Sequence, residues 1–118
     1  MALHTELPIY KLTYELMLLA MELIKNMRRD YKTTVGQKIN AECLDLSLLV
    51  YKANCARDKV PHLDMLLERL QVTELLFRLA VDLGLISKGQ YAKAIGITAK
   101  VGRQAGGWRK HSASSPAM

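Results

Sequence analysis

Six cations near the C-terminus are the side chains whose type and spacing could do chemistry. Lys88, Lys93, Lys100, Arg103, Arg109 and Lys110 all follow Asp82, the last acidic residue of the chain. The sequence holds 17 Lys and Arg against 11 Asp and Glu, and residues 1–82 are balanced. The whole net charge of +6 therefore resides in the C-terminal segment. Ammonium and guanidinium groups with no interleaved acid attract anions, and phosphate contacts of this kind would be largely independent of base sequence and sensitive to salt. The bland reading is a solvated helix face, with Arg109 and Lys110 complementing a helix C-terminal dipole. The absence of acids favours anion binding. Trp108, the single tryptophan, sits in the same segment. It reads first as a lid over the end of the fold and second as a platform on which a base could stack.

Other chemistry is hard to assemble. His4, His62 and His111 fall on an arm, at a turn and in a tail, and none lies on a core face. No nucleophile, base and orienter come together. A di-metal bundle needs Glu-x-x-His, and here no acid is followed by His three positions on. Asp64 and Glu68 share a helix face as an exposed acidic patch. Gly102, Gly106 and Gly107 lack the Lys-Ser/Thr of a phosphate loop. Two readings of the glycines stay open. Either the helix ends at Gly106–Gly107, or Gly96, Gly102, Gly106 and Gly107 let another backbone approach closely. Cys43 and Cys55 match no zinc spacing and are expected to be buried apolar thiols. The expectation is a protein that is not an enzyme and has no metal or cofactor. The N-terminus lacks a basic region before an apolar run, and the longest apolar run, Leu16 to Met21, is far short of a membrane span. A cytoplasmic protein without a membrane partner is expected.

Four helices would position these groups. Residues 1–7 read as a loose arm. The first helix runs from about Pro8 to Arg29, with Leu12, Leu16, Leu19, Leu23 and Met27 as its stripe. Met17, Leu18, Ala20, Met21 and Ile24 carry apolar surface round most of the cylinder, which a single bundle cannot bury. A polar link, Asp30 to Thr34, forms a mostly basic corner with Arg28 and Arg29. The second helix, about Val35 to Ala56, has the stripe Val35, Ile39, Cys43, Leu46, Val50 and Ala53, and Gly36 weakens its first turn. The third, about His62 to Leu83, carries Leu63, Leu66, Leu70, Leu76, Ala80 and Leu83, with a second stripe of Met65, Val72, Leu75 and Leu79. Glu74 and Arg78 stand one turn apart as an ion pair in the favoured order. Gly84 suits a left-handed cap. Ser87 and Gln90 form a capping box at the start of the fourth helix, which runs to Lys110. Its inward face is Tyr91, Ala94, Ile95, Thr98, Val101 and Ala105, and Lys93, Lys100, Arg103 and Lys110 share the opposite sector.

The fold class is all-α: an antiparallel up-down-up-down four-helix bundle over residues 8–110, homo-oligomeric, with a disordered tail over 111–118.

The passage LLFRLAVDLGLISKGQY, followed by KVGRQAGGWRK, resembles the accessory variability determinant (Avd) proteins of diversity-generating retroelements. The closing pattern of that family is similar to V-G-R-x-x-G-x-W, present here from Val101 to Trp108. Wider relatives are four-helix-bundle proteins encoded by intervening sequences in bacterial large-subunit ribosomal RNA genes. The likeness covers about residues 8–110. It implies a non-catalytic partner of a reverse transcriptase and of template RNA, with DNA as a further candidate partner, assembled as a basic pentameric barrel. Such proteins support mutagenic copying of template RNA and diversification of a target gene. Arg78 and Arg103 fall where the family carries basic residues; Lys93, Lys100, Arg109 and Lys110 join them from the charge map. The alternative is a scaffold protein of the ribosomal intervening-sequence kind with no reverse-transcriptase role.

Overall fold

The structure, a computed structural model, describes residues 3–114. Helix α1 spans Pro8–Lys25, and Pro8 sits in its first turn, where a missing N–H leaves nothing unpaired. A short helical turn, Arg29–Tyr31, leads into a π-helical turn, Lys32–Gly36, which passes directly into α2, Gln37–Cys55. Helix α3 spans Val60–Asp82 and α4 spans Lys88–Ser114. Among the described residues all regular structure is helical.

Three boundaries differ from expectation. The polar link at Asp30 to Thr34 is helical instead. Thr34 donates its hydroxyl to the Asp30 carbonyl at 3.2 Å, and Val35 and Gly36 turn inward and are buried. A Cβ at Gly36 would lie 3.0 Å from the Ile24 side chain, so this glycine permits close approach of α1 and does more than weaken a turn. Helix α4 does not end at Gly106–Gly107, nor at Lys110; it continues to Ser114, and 115–118 lie outside the described residues. Within the expected arm, His4–Glu6 forms a 3-10 turn, and the His4 ring meets Tyr10 and Tyr51 edge-on at 5.1 and 4.9 Å.

Caps follow the sequence closely. Gly84, at φ +73°, is the one residue with positive φ among those described. The Leu85 N–H reaches the Ala80 carbonyl at 2.9 Å and the Gly84 N–H reaches Val81 at 3.0 Å, a Schellman closure of α3. At the start of α4 the Ser87 N–H donates to Gln90 Oε1 at 2.8 Å, and the Gln90 N–H donates to Ser87 Oγ at 3.0 Å.

The core lies between the four long helices. Helix α1 packs on α2 and α4, and α3 packs on the same two. The Arg69 guanidinium forks onto the Glu42 carboxylate, with Nε to Oε2 at 3.0 Å, and ties α3 to α2. Thr98 donates to Glu74 at 2.7 Å, and Arg109 pairs with Asp64. All six expected stripe residues preceding or within α2, Val35 to Ala53, are buried. In α1 the buried row is Ile9, Thr13, Leu16, Ala20 and Leu23; Leu12 and Leu19 flank it, half-buried. In α3 the inward row passes through Thr73 and Phe77, while Leu76 is half-buried and Leu83 is exposed. Thr73 is admitted because its hydroxyl donates to the Arg69 carbonyl at 2.8 Å. In α4 Ile97 joins the core, and Tyr91 and Ile95 are only half-buried.

The cysteines divide. Cys43 is buried and its thiol is pushed up to about 12 by burial, with the Glu42 charge adding; Cys55, expected to be buried, is exposed. Because the thiolate is the reacting species, a disulfide reagent at neutral pH is expected to titrate one thiol rapidly and the second only in denaturant. Two fast thiols would show that the core opens around Cys43.

Lys59 closes the turn between α2 and α3. Its Nζ donates to the carbonyls of Ala53, Asn54 and Ala56 at 3.0, 3.1 and 2.9 Å. Some of these are the acceptors a helix end leaves without partners. Lys59→Met keeps the stem and removes the donors. The expected loss is about 1–2 kcal/mol, read as a lower urea midpoint at unchanged slope; an unchanged midpoint would mean that water serves these carbonyls equally well.

Candidate functional site

The six candidate cations separate into paired and unpaired groups. Arg78 Nε lies 3.1 Å from Asp82 Oδ2, one turn further on, and not against Glu74 as expected from spacing. Glu74 instead accepts from Thr98 across the α3–α4 seam. Arg109 pairs with Asp64, so that acid is no free member of an exposed patch. Hydrogen bonding first and charge second hold both guanidiniums above their ordinary pKa, Arg78 against Asp82 and Arg109 against Asp64. Lys93, Lys100, Arg103 and Lys110 are exposed and have no ion pair among the described residues.

Two of these unpaired cations converge on α1. A groove of about 340 Å³ is lined by Pro8, Lys11, Leu12 and Glu15 from α1 and by Lys100, Arg103 and Gln104 from α4. Three cations and one acid give it a net positive field. Lys11 was not a sequence candidate, because a charge count over residues 1–82 balances it against acids and does not show that it lies beside Lys100 and Arg103. The groove adjoins a smaller cavity of about 210 Å³, lined by Leu7, Pro8, Ile9, Gln104 and Trp108. Pro8 and Gln104 border both. Trp108 is half-buried and packs against the core.

A second basic region lies at the corner between α1 and α2. Lys25, Arg28, Arg29, Lys32 and Lys38 face only Asp30 as an acid within that stretch, and all are exposed. The Arg28 guanidinium sits 5.0 Å from the centroid of the Tyr31 ring. The sequence shows the cations around Arg28 and Arg29 as a mostly basic corner, and Lys25 and Lys38 extend it. Arg78 lines a different groove with Asp82, Ser87, Lys88 and Tyr91, away from the α1–α4 groove.

The glycines of α4 divide too. A Cβ at Gly102 would lie 3.3 Å from Leu70 Cδ2, so this glycine seats α4 against α3. Around Gly96, Gly106 and Gly107 that space is open. Among the described residues no group of three or more His, Cys, Asp or Glu is placed to hold a metal ion, and no helix is long and apolar enough to cross a membrane.

The model of the bAvd-like family matches residues 7–112. No curated protein matches the chain, and no solved structure does.

Proposed function

The chain belongs to the bAvd-like family, and from that premise we propose that it is a non-catalytic accessory protein which binds a retroelement reverse transcriptase together with its template RNA and cDNA. The observation that carries this reading is the family match over residues 7–112. The structure supports it with a surface suited to phosphates. Lys93, Lys100, Arg103 and Lys110 have no ion pair among the described residues, and Lys11 lines the groove with two of them. Such contacts attract any phosphodiester backbone and leave sequence choice to the polymerase and its template.

The assembly belongs to the same proposal. The early-with-late pairings of α3 with α4 support an antiparallel up-down-up-down course. Exposed Leu18, Met21, Leu44, Leu48, Leu75 and Leu79 support burial against further copies, in a pentameric barrel working in the cytoplasm. A scaffold without a polymerase partner would use the same apolar faces but has no need of the unpaired cations.

Charge reversal at Lys93, Lys100 and Arg103 is expected to abolish template RNA binding and leave the helical circular dichroism intact. For the unaltered protein, log affinity should fall linearly with log salt, by about 0.7 for each single-strand phosphate neutralised. Binding that survives the triple reversal with its salt slope unchanged would move the site off α4. Co-purification with the cognate reverse transcriptase separates the accessory role from the scaffold role. A light-scattering mass of one chain at micromolar concentration would remove the barrel.

A further inference from the structure

We propose that the trough between α1 and α4 is a single-strand site, in which a nucleobase lies against the Trp108 indole while its phosphate meets Lys100, Arg103 and Lys11. This rests on the reading that the α4 face meets nucleic acid, and adds which form of nucleic acid and which atoms. Lys100, Gln104 and Trp108 stand at i, i+4 and i+8 on one row of α4. Each step is one turn, about 6 Å along the axis. Gln104 borders both the cationic groove and the cavity at Trp108, so ammonium, amide and indole are contiguous. Pro8 borders both from the α1 side. One end of the trough is walled by Leu7, Pro8, Ile9 and Trp108, the other by Lys11, Lys100 and Arg103.

A nucleotide has the same polarity, with a flat ring at one end and a phosphate at the other. Trp108 packs part of its surface on the core and leaves the rest bordering the cavity, which holds the indole in place before a base arrives. Stacking on an aromatic ring tolerates any base. The Gln104 amide carries both donors and an acceptor, so it can meet any base edge. Glu15 lines the cationic groove and repels a crowd of phosphates there, which suits one strand better than the two backbones of a duplex. In a duplex the bases are already stacked and the indole end would have nothing to take. An acidic peptide would use the cations and leave the indole idle.

Trp108 is the only tryptophan, so emission excited beyond the tyrosine absorption band reports this site alone. The full chain is titrated with a short, end-labelled oligothymidylate, and label anisotropy and Trp108 emission are followed together. Both are expected to saturate at the same concentration, with emission quenched, and a hairpin duplex of equal length should bind more weakly. Trp108→Leu should weaken single-strand binding about tenfold, the scale of one base–aromatic stack. If that variant loses helix, the unaltered protein still decides through its own emission. A rise in anisotropy with unchanged emission, or a preference for the duplex, overturns the single-strand site and leaves the broader nucleic-acid reading standing. No rise in anisotropy removes both. Emission that responds to polyglutamate and not to the oligonucleotide assigns the trough to an acidic peptide and overturns the proposal.

Discussion

Four helices of this length enclose one core, and the chain carries more large apolar side chains than that core can take. Tyr14, Leu18 and Met21 recur at i, i+4, i+7 on α1, and Leu44, Leu48 and Tyr51 repeat that spacing on α2. Both triplets are exposed, although the seam between the same two helices is closed by Ser47 donating to Thr13 at 2.9 Å. Leu75 and Leu79 stand exposed on α3, at 67% and 41%. Leaving such surface in water forgoes about 25 cal/mol for each Å² that could be covered. Helix α4 is the contrast: among the described residues it exposes no large hydrophobic side chain. Its exposed residues are alanine, glycine, glutamine and cations, with His111 and Ser114 at its end. Apolar surplus and unpaired charge are therefore carried by different helices, so covering α1, α2 and α3 with further copies can leave the basic face of α4 open to a partner.

Charge along the chain and charge in space are different quantities here. The segment after Asp82 contains no acid, yet Asp64 meets Arg109 across 45 positions of sequence. Asp82 itself turns back onto Arg78. Exposed pairs of this kind contribute little to stability, but they fix where a guanidinium points and lower its pull on a distant anion. The effective basic face is then Lys93, Lys100, Arg103 and Lys110 with Lys11, and the α1–α2 corner adds cations that a segment count reduces to zero.

The features most legible in the sequence were those set by neighbours along the chain. Gly84 and the Ser87–Gln90 box need only a few residues of context, and the row from Val35 to Ala53 repeats cleanly enough to fix the inward face of α2. Features that depend on another helix were hidden. Phe77 and Thr73 displaced Leu76 and Leu83 from the core, because turning by about 100° per residue carries the inward row away from a leucine-only pattern. The polar run from Asp30 to Thr34 looks like a link; burial of Val35 and Gly36 against α1 makes it a π-helical turn. The pairing of Arg109 required knowing which residue of α3 lies opposite. Of the candidate site, the cations of α4 were readable and the wall supplied by α1 was not.

The glycines of α4 show how the site depends on the fold. Each interior glycine costs about 1 kcal/mol of helix stability relative to alanine, and Gly106 and Gly107 stand together. An isolated helix would fray there. Here the buried row of Ala94, Ile97, Thr98, Val101 and Ala105 anchors the preceding turns, Trp108 packs just beyond the glycine pair, and Arg109 is tied to Asp64. Tertiary packing thus carries the helix through a stretch where local propensity would stop it. The consequence is geometric. Had α4 ended at Gly106, Trp108 would have no fixed relation to Lys100 and Gln104. Because it continues, all three fall on one row beside α1, and the cationic groove and the indole cavity share Pro8 and Gln104 as their common border.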